Sequence, residues 1–483
     1  MATRHRWNCL LTATWAGVFV IVVASYGQAQ DSALEAAPAP VPADGTAPRP
    51  DDDPTDDAMD VRPNQRSLTS DAVLLPSGHL FGDWYGLRSR LEAQGITPSV
   101  TWVTNMAGNP VGGREQAFTE AENLGIDFAF DLQKLYQLDD TQFHVSMSQR
   151  SGVGLSQNYI GNVFPVQQVS GGETFKLVDV DLQHTFADGD CEVRLGRIAV
   201  TDDFLVSPYF WLFMNNGIDG SPKGIFLNAP GTTAYPNTTW GARLRRRIGD
   251  RAYVMAGTYN ADSSAWQDSD HGLDWSLHGP LYAVAEAGYV RNGMPSDEGL
   301  LGTYKVGVYY NGGSFTNSAG RVLGSTASSY GLTAATTQGN WGFYTLFDQV
   351  IYRFGIRSEQ RGAGVFGSLL VAPDDTINEM PLFCNGGVIV RGLLPRRPTD
   401  SLGCAVVFGK FSSDLAAVQQ LAQTVDPTVG VQDCEVALEW FYRIRLRDGA
   451  AFVQPDLQYI LNPGGTHQDP NALVVGLQAG INF

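Results

Sequence analysis

The sequence predicts an all-β fold: a transmembrane antiparallel β-barrel of about 16 strands, preceded by a short N-terminal helix and a disordered leader. Three observations carry this expectation. The chain ends on a strand, Leu473 to Phe483, in which Leu473, Val475, Leu477, Ala479, Ile481 and Phe483 share one face while Val474, Gly476, Gln478, Gly480 and Asn482 share the other. It begins with an export signal. Between these ends no stretch approaches the roughly 18 consecutive apolar residues that a membrane helix requires, and the mean hydropathy is −0.12. A greasy face opposite a small or polar one, in an exported chain, puts lipid outside a closed barrel and water inside it.

Residues 1–29 read as a signal peptide. Arg4 and Arg6 form a basic region, Leu10 to Ser25 is mostly apolar, and Gly27-Gln28-Ala29 supplies small residues for cleavage before Gln30. The two arginines are not adjacent, which argues against the twin-arginine route, and Cys9 comes too early to be a lipoprotein cysteine. Residues 30–77 are rich in Ala, Pro and Asp and include the run Asp51-Asp52-Asp53-Pro54-Thr55-Asp56-Asp57. Such a segment buries too little apolar surface to offset its ordering entropy, so a disordered periplasmic leader is expected. The acidic run lacks the ligand and glycine spacing of a calcium loop, and no metal or cofactor is expected.

The barrel domain is assigned to residues 78–483. Asp83 can cap a helix whose apolar positions Leu87 and Leu91 recur at helical spacing, and Gly95 can end it with positive φ. From Ile96 the period falls to two. Leu124, Ile126, Phe128, Phe130 and Leu132 alternate with Gly125, Asp127, Ala129 and Asp131, and the face Cys434 to Leu446 alternates in the same way. Parity then turns Asp127, Asp131, Glu435, Glu439, Arg443, Arg445, Asp456 and Gln458 toward water in the lumen, and Trp440, Tyr442 and Tyr459 toward lipid, where an aromatic girdle belongs. The 54 glycines, 24 Phe, 18 Tyr and 10 Trp suit many strands, tight turns and such girdles. A barrel of this size leaves an aqueous channel that inward loops can narrow.

Net charge is −18 and no basic stripe exists, so nucleic acid is not an expected partner. Cys191, Cys384, Cys404 and Cys434 give little support to a disulfide framework. Cys404 and Cys434 share parity with lipid-facing neighbours, and the pairing left open is Cys191 with Cys384. Catalytic motifs are weak. Gly362-Ala363-Gly364-Val365-Phe366-Gly367 fits GxGxxG but runs straight into Ser368-Leu369-Leu370-Val371, so it reads as a strand start and not a phosphate loop. GxSxG, HExxH and CxxC are missing, which leaves only a Ser-His pair assembled across strands, with His144 or His184 as partner.

Eight segments in fixed order resemble the carbohydrate-selective porins of the OprB family. They are Phe81-Gly82-Asp83-Trp84-Tyr85-Gly86-Leu87-Arg88, Asp131-Leu132-Gln133-Lys134-Leu135, Arg150-Ser151-Gly152, Tyr159-Ile160-Gly161-Asn162, Arg243-Leu244-Arg245, Gly302-Thr303-Tyr304-Lys305, Arg391-Gly392-Leu393 and Gln454-Pro455-Asp456-Leu457-Gln458-Tyr459. The resemblance implies a monomeric outer-membrane channel whose inward loops form an eyelet favouring sugars, glucose-like monosaccharides or polyols, by passive diffusion. It implies an eyelet arginine at Arg150. Where relatives often carry an acid after a Gln, this chain has Gln167-Gln168, leaving Gln168 as a neutral substitute, and Tyr235 before Pro236 fits a sugar-stacking position. The terminal strand 473–483 is similar to the signal by which outer-membrane proteins engage the barrel-assembly machinery. A general or differently selective porin is the alternative, and a barrel hydrolase, detectable by a serine-reactive probe, is the rival from another class.

Overall fold

The computed structural model describes residues 78–262, 267–294, 297–355 and 361–483, apart from the side chain of residue 448. The signal-peptide and leader assignments, 1–29 and 30–77, lie outside the described residues.

The strands are β1 (Ile96–Val111), β2 (Phe118–Asp131), β3 (Thr141–Gly152), β4 (Phe175–Phe186), β5 (Cys191–Ile198), β6 (Thr239–Ile248), β7 (Ala252–Asn260) and β8 (Leu281–Arg291). They continue as β9 (Gly302–Thr316), β10 (Thr336–Arg353), β11 (Gly362–Val371), β12 (Leu382–Arg391), β13 (Ser401–Lys410), β14 (Cys434–Leu446), β15 (Ala451–Leu461) and β16 (Ala472–Asn482). Each pairs antiparallel with its sequence neighbours, and β1 meets β16 in the register Thr101↔Asn482 through Gly108↔Val475 to close the barrel. Closure leaves no sheet edge with unpaired N–H and C=O groups, the condition for crossing lipid with strands.

The helix Leu87–Ala93 precedes β1. Its N-cap is Gly86, at φ 85°, not Asp83; the Asp83 carboxylate nevertheless reaches Ser89, accepting from its N–H and its hydroxyl at 2.8 Å each. Gly95 follows at φ 92°, where an added Cβ would lie 2.9 Å from Lys134 Cβ and 3.0 Å from the Asp131 carbonyl oxygen. Glycine is thus demanded both by conformation and by space.

Short turns close one end of the barrel, as between Phe186 and Cys191 or Ile248 and Ala252, and the long connections 153–174, 199–238 and 411–433 occupy the other. Both described chain ends sit with the short turns, where Leu80 N–H donates to the Asn482 carbonyl at 2.7 Å. In barrels of this kind the short-turn end faces the periplasm.

Alternation sorts the faces of β16: Val475 is 52% exposed and Gln478 fully buried. The inner face departs from the expectation of small and polar residues. Along β7 to β14 it carries Tyr259, Tyr282, Tyr309, Tyr344, Phe366, Phe383 and Phe441, all buried against the 199–238 connection. Phe210 and Phe213 approach Phe366 at 5.7 and 5.4 Å between ring centroids, and Phe213 meets Phe441 edge-on at 5.0 Å. Gly364 makes room, since a Cβ there would fall 2.2 Å from the Tyr209 hydroxyl oxygen. Each fully buried aromatic contributes on the order of 1.5–3 kcal/mol. A hydrophobic core therefore sits inside the barrel.

The cysteine expectations are corrected in two places. Cys191 and Cys384 are free thiols, so the pairing left open does not form. Cys404 is half-buried between Val388 and Trp440 on the outer face, whereas Cys434 is 2% exposed at the strand start, where Asn462 Nδ2 donates to its carbonyl at 2.6 Å. The glycine-rich motif opens β11.

Candidate functional site: a lumenal cavity held by two inward loops

An irregular loop placed inside a barrel brings backbone N–H groups that must find acceptors. The wall supplies them. Glu435 accepts from the N–H groups of Val163, Phe164 and Gly464 at 2.6 to 2.9 Å, and Glu439 from those of Met214 at 2.6 Å and Asn215 at 2.9 Å. Gln458 donates to the Val166 carbonyl at 3.0 Å and accepts from Asn215 Nδ2 at 2.9 Å. Arg443 bonds Gln454 at 2.6 Å and Gln478 at 2.8 Å, and Gln454 donates to the Leu212 carbonyl at 3.0 Å. From the loop side, Gln167 Nε2 donates to the Asn105 carbonyl at 2.7 Å while its Oε1 accepts from Leu155 N–H at 2.8 Å.

These contacts correct the expectation that Glu435, Glu439, Arg443, Asp456 and Gln458 face water. Their parity is inward, but the loops cover them and all are buried. Asp456 accepts from Gln458 Nε2 at 3.0 Å. Asp131 is not on the pore wall either: it caps the helix Leu132–Tyr136 at the short-turn end, accepting from Gln133 and Lys134 N–H at 3.0 and 3.2 Å. Arg445 lies at that same end, its N–H donating to Asp400 at 3.0 Å. Asp127 remains half-buried, 3.8 Å from His144 Nε2.

Between the β3–β4 wall and the two loops lies a cavity of about 440 Å³. Arg150, Gln168 and Tyr235 all line it. Arg150 projects from β3 opposite Asn123 of β2, and its guanidinium carbon stands 5.7 Å from the centre of the Tyr235 ring. Asn123 Nδ2 donates to the Tyr235 hydroxyl at 3.2 Å and its Oδ1 accepts from Ser148 at 2.7 Å, so strand, arginine and aromatic form one unit. Gln168 joins the loops, its N–H donating to the Met214 carbonyl at 2.9 Å.

The further lining residues that the sequence did not single out include Lys176, Trp211, Asp219, Lys223 and Asp268. Only Lys176 left a signal, since strand pairing places it across from Ser148 on the inward face of β4. The others sit on connections without periodicity. Lys176 Nζ lies 2.6 Å from Asp268, and this hydrogen-bonded ammonium holds the Asp268 carboxyl below its ordinary value. Trp211 is nearly buried, with Gly220 at φ 76° close against its ring. The arrangement offers fixed donors and acceptors, side chains of both charge types and aromatic faces, a set suited to hydroxyl-rich solutes.

Residues 115–483 match the sequence model described as the carbohydrate-selective porin, OprB family. The chain belongs to the OprB family. Porin B of Pseudomonas aeruginosa is 27% identical over 424 residues, covering 84% of this chain and 91% of that protein. A solved structure of Pseudomonas putida OprB at high pH aligns with a TM-score of 0.77 at 25% identity, over 85% of this chain and 99% of that one. The low-pH structure of that protein aligns at 0.53 and 19% identity over the same shares, a likeness of fold alone. Porin B is a porin by name, and the TM-score of 0.77 shows that the fold of this OprB-family chain is shared with Pseudomonas putida OprB. The two histidines weighed as partners for a serine have other neighbours: His144 Nδ1 lies 3.2 Å from Asp181, and His184 Nδ1 lies 2.9 Å from the Thr141 hydroxyl.

Proposed function

We propose that this OprB-family porin carries glucose-like monosaccharides or polyols across the outer membrane by passive diffusion, with the 440 Å³ cavity as its selective eyelet. The observation that carries the reading is the convergence of Arg150, Gln168 and Tyr235 on that one cavity. A neutral sugar is recognised by hydrogen-bonding groups that neighbours hold in place and by an aromatic surface for its ring. Arg150 supplies a rigid fork of donors, Gln168 a donor and an acceptor, and Tyr235 the stacking face. Binding has to stay weak, because a tight site would trap its cargo.

Proteoliposomes containing the protein should swell faster in isosmotic glucose than in an uncharged non-sugar of similar size. Equal rates would keep a channel but remove sugar selectivity.

The same reading makes the chain an exported monomer, cleaved before Gln30, that engages the barrel-assembly machinery through strand 473–483. Removal of Phe483 should lower its outer-membrane level. Normal levels of the truncated chain would count against that role for the terminal strand.

A further inference from the structure

Strand β5 is too short to pair with all of β4. Its ladder ends at Val180↔Arg197, and Phe175 to Asp179 run on past it as a sheet edge. The connection between β7 and β8 covers that edge, as a loop must where backbone groups would otherwise lack partners. Leu177 N–H donates to the His271 carbonyl at 3.0 Å, and the Thr174 hydroxyl lies 2.7 Å from His271 Nδ1. Gly272, at φ 72°, comes so close that a Cβ there would fall 2.0 Å from the Leu177 carbonyl oxygen. Arg197 pins the same segment. It shares the outward phase of β5 with Leu195, which is 46% exposed, yet is itself only 2% exposed. Its guanidinium donates to the Gly272 carbonyl and, at 2.8 Å, to that of Asp274. Trp240 Nε1 adds a bond to the Trp275 carbonyl at 3.2 Å. Residues 271–275 are thus a strap tied to β4, β5 and β6, and the turn just before it, Asp268–Asp270, brings Asp268 to the cavity wall.

Of the two acids that line the cavity, Asp219 is 1% exposed, whereas the side chain of Asp268 is 49% exposed. Lys176 Nζ holds Asp268 Oδ1 at 2.6 Å. A carboxylate offers about four acceptor sites, so that contact fixes its position and leaves capacity for the hydroxyl groups of a solute. Building on the sugar-channel reading above, we propose that Asp268 is a solute-binding residue of the eyelet, accepting from a sugar hydroxyl, and that Arg197 is the positioning residue that keeps it there through the strap. A hydrogen bond to an ionised acceptor is roughly twice as strong as a neutral one, which makes Asp268 a selector for solutes that can donate to it.

The test measures block of single channels in a planar bilayer by glucose and by its monodeoxy derivatives. Asp268→Asn keeps the shape of the side chain and an acceptor for Lys176 but loses the charge. It should raise the half-blocking glucose concentration about five- to tenfold, the difference between a charged and a neutral hydrogen bond. In the wild type, the derivative lacking the hydroxyl that Asp268 accepts from should block correspondingly less well than glucose, and in Asp268→Asn that gap should narrow. Gaps that Asp268→Asn leaves unchanged mean no solute contact and overturn the assignment. Arg197→Gln should weaken glucose block to a similar degree, and Asp268→Asn should add little on top of it, as expected of two residues acting through one contact. Fully additive effects overturn the positioning role. Should Arg197→Gln fail to give a heat-modifiable barrel, Gly272→Ala, which displaces the strap from Leu177, takes its place under the same criterion. Glucose block absent from the wild type removes the sugar channel and this assignment together. Block present in the wild type and unchanged in Asp268→Asn removes the assignment alone.

Discussion

Glu439→Ala is expected to raise single-channel conductance severalfold and to raise the half-blocking glucose concentration more than tenfold, without abolishing the heat-modifiable gel migration of a folded barrel. Glu439 is fully buried and accepts from two consecutive loop N–H groups, those of Met214 and Asn215. Each such hydrogen bond contributes roughly 0.5–1.5 kcal/mol, and truncation also leaves two buried donors without an acceptor, at a cost of about 1–3 kcal/mol each. The barrel ladders do not depend on this side chain. The loop does: Met214 supplies the carbonyl that Gln168 bonds, and Trp211 lies three residues away. Freed from the wall, this segment no longer narrows the lumen. Glu439→Gln retains one acceptor oxygen and should fall between the two. Wild-type conductance and block in the alanine variant would mean that the wall carboxylates do not hold the constriction.

Arg150→Ala is expected to raise the half-blocking sugar concentration by about tenfold or more, again with normal gel migration. The magnitude follows from losing a charged donor whose contribution is roughly 1.5–3 kcal/mol. Arg150 also organises its surroundings, because the Tyr235 ring beneath it is tied through Asn123 to Ser148. Arg150→Lys keeps the charge and loses the planar fork, so it should recover only part of the block. Sugar block unchanged in Arg150→Ala would take Arg150 out of the site.

What the sequence disclosed follows from what period two encodes. Alternation separated the faces of β14, β15 and β16 and put Glu435, Glu439 and Gln458 on the inward side, because successive side chains of a strand point to opposite faces. It carries no information about what stands opposite that face. Five residues assigned to water are therefore buried under loops, and Asp131, in phase with the strand before it, proved to be a helix cap. The lumenal core was illegible for the same reason. Tyr282 or Phe366 on an inward phase reads as an exception until the 199–238 connection is seen to supply Phe210 and Phe213. Arg150, Gln168 and Tyr235 came from family resemblance and not from spacing, and the structure brings the three to one cavity. Trp211, Asp219, Lys223 and Asp268 lie on connections whose course depends on tertiary hydrogen bonds, such as those of Glu435 and Glu439, and local pattern cannot encode those bonds.

A sugar channel of this family needs a weak binding site at its constriction. The most direct measurement is the conductance of single refolded channels in a planar bilayer, titrated with glucose and with an uncharged non-sugar of similar size. The expected result is saturable block by glucose and none by the control solute. Channels that open and conduct without saturable block by glucose would contradict it.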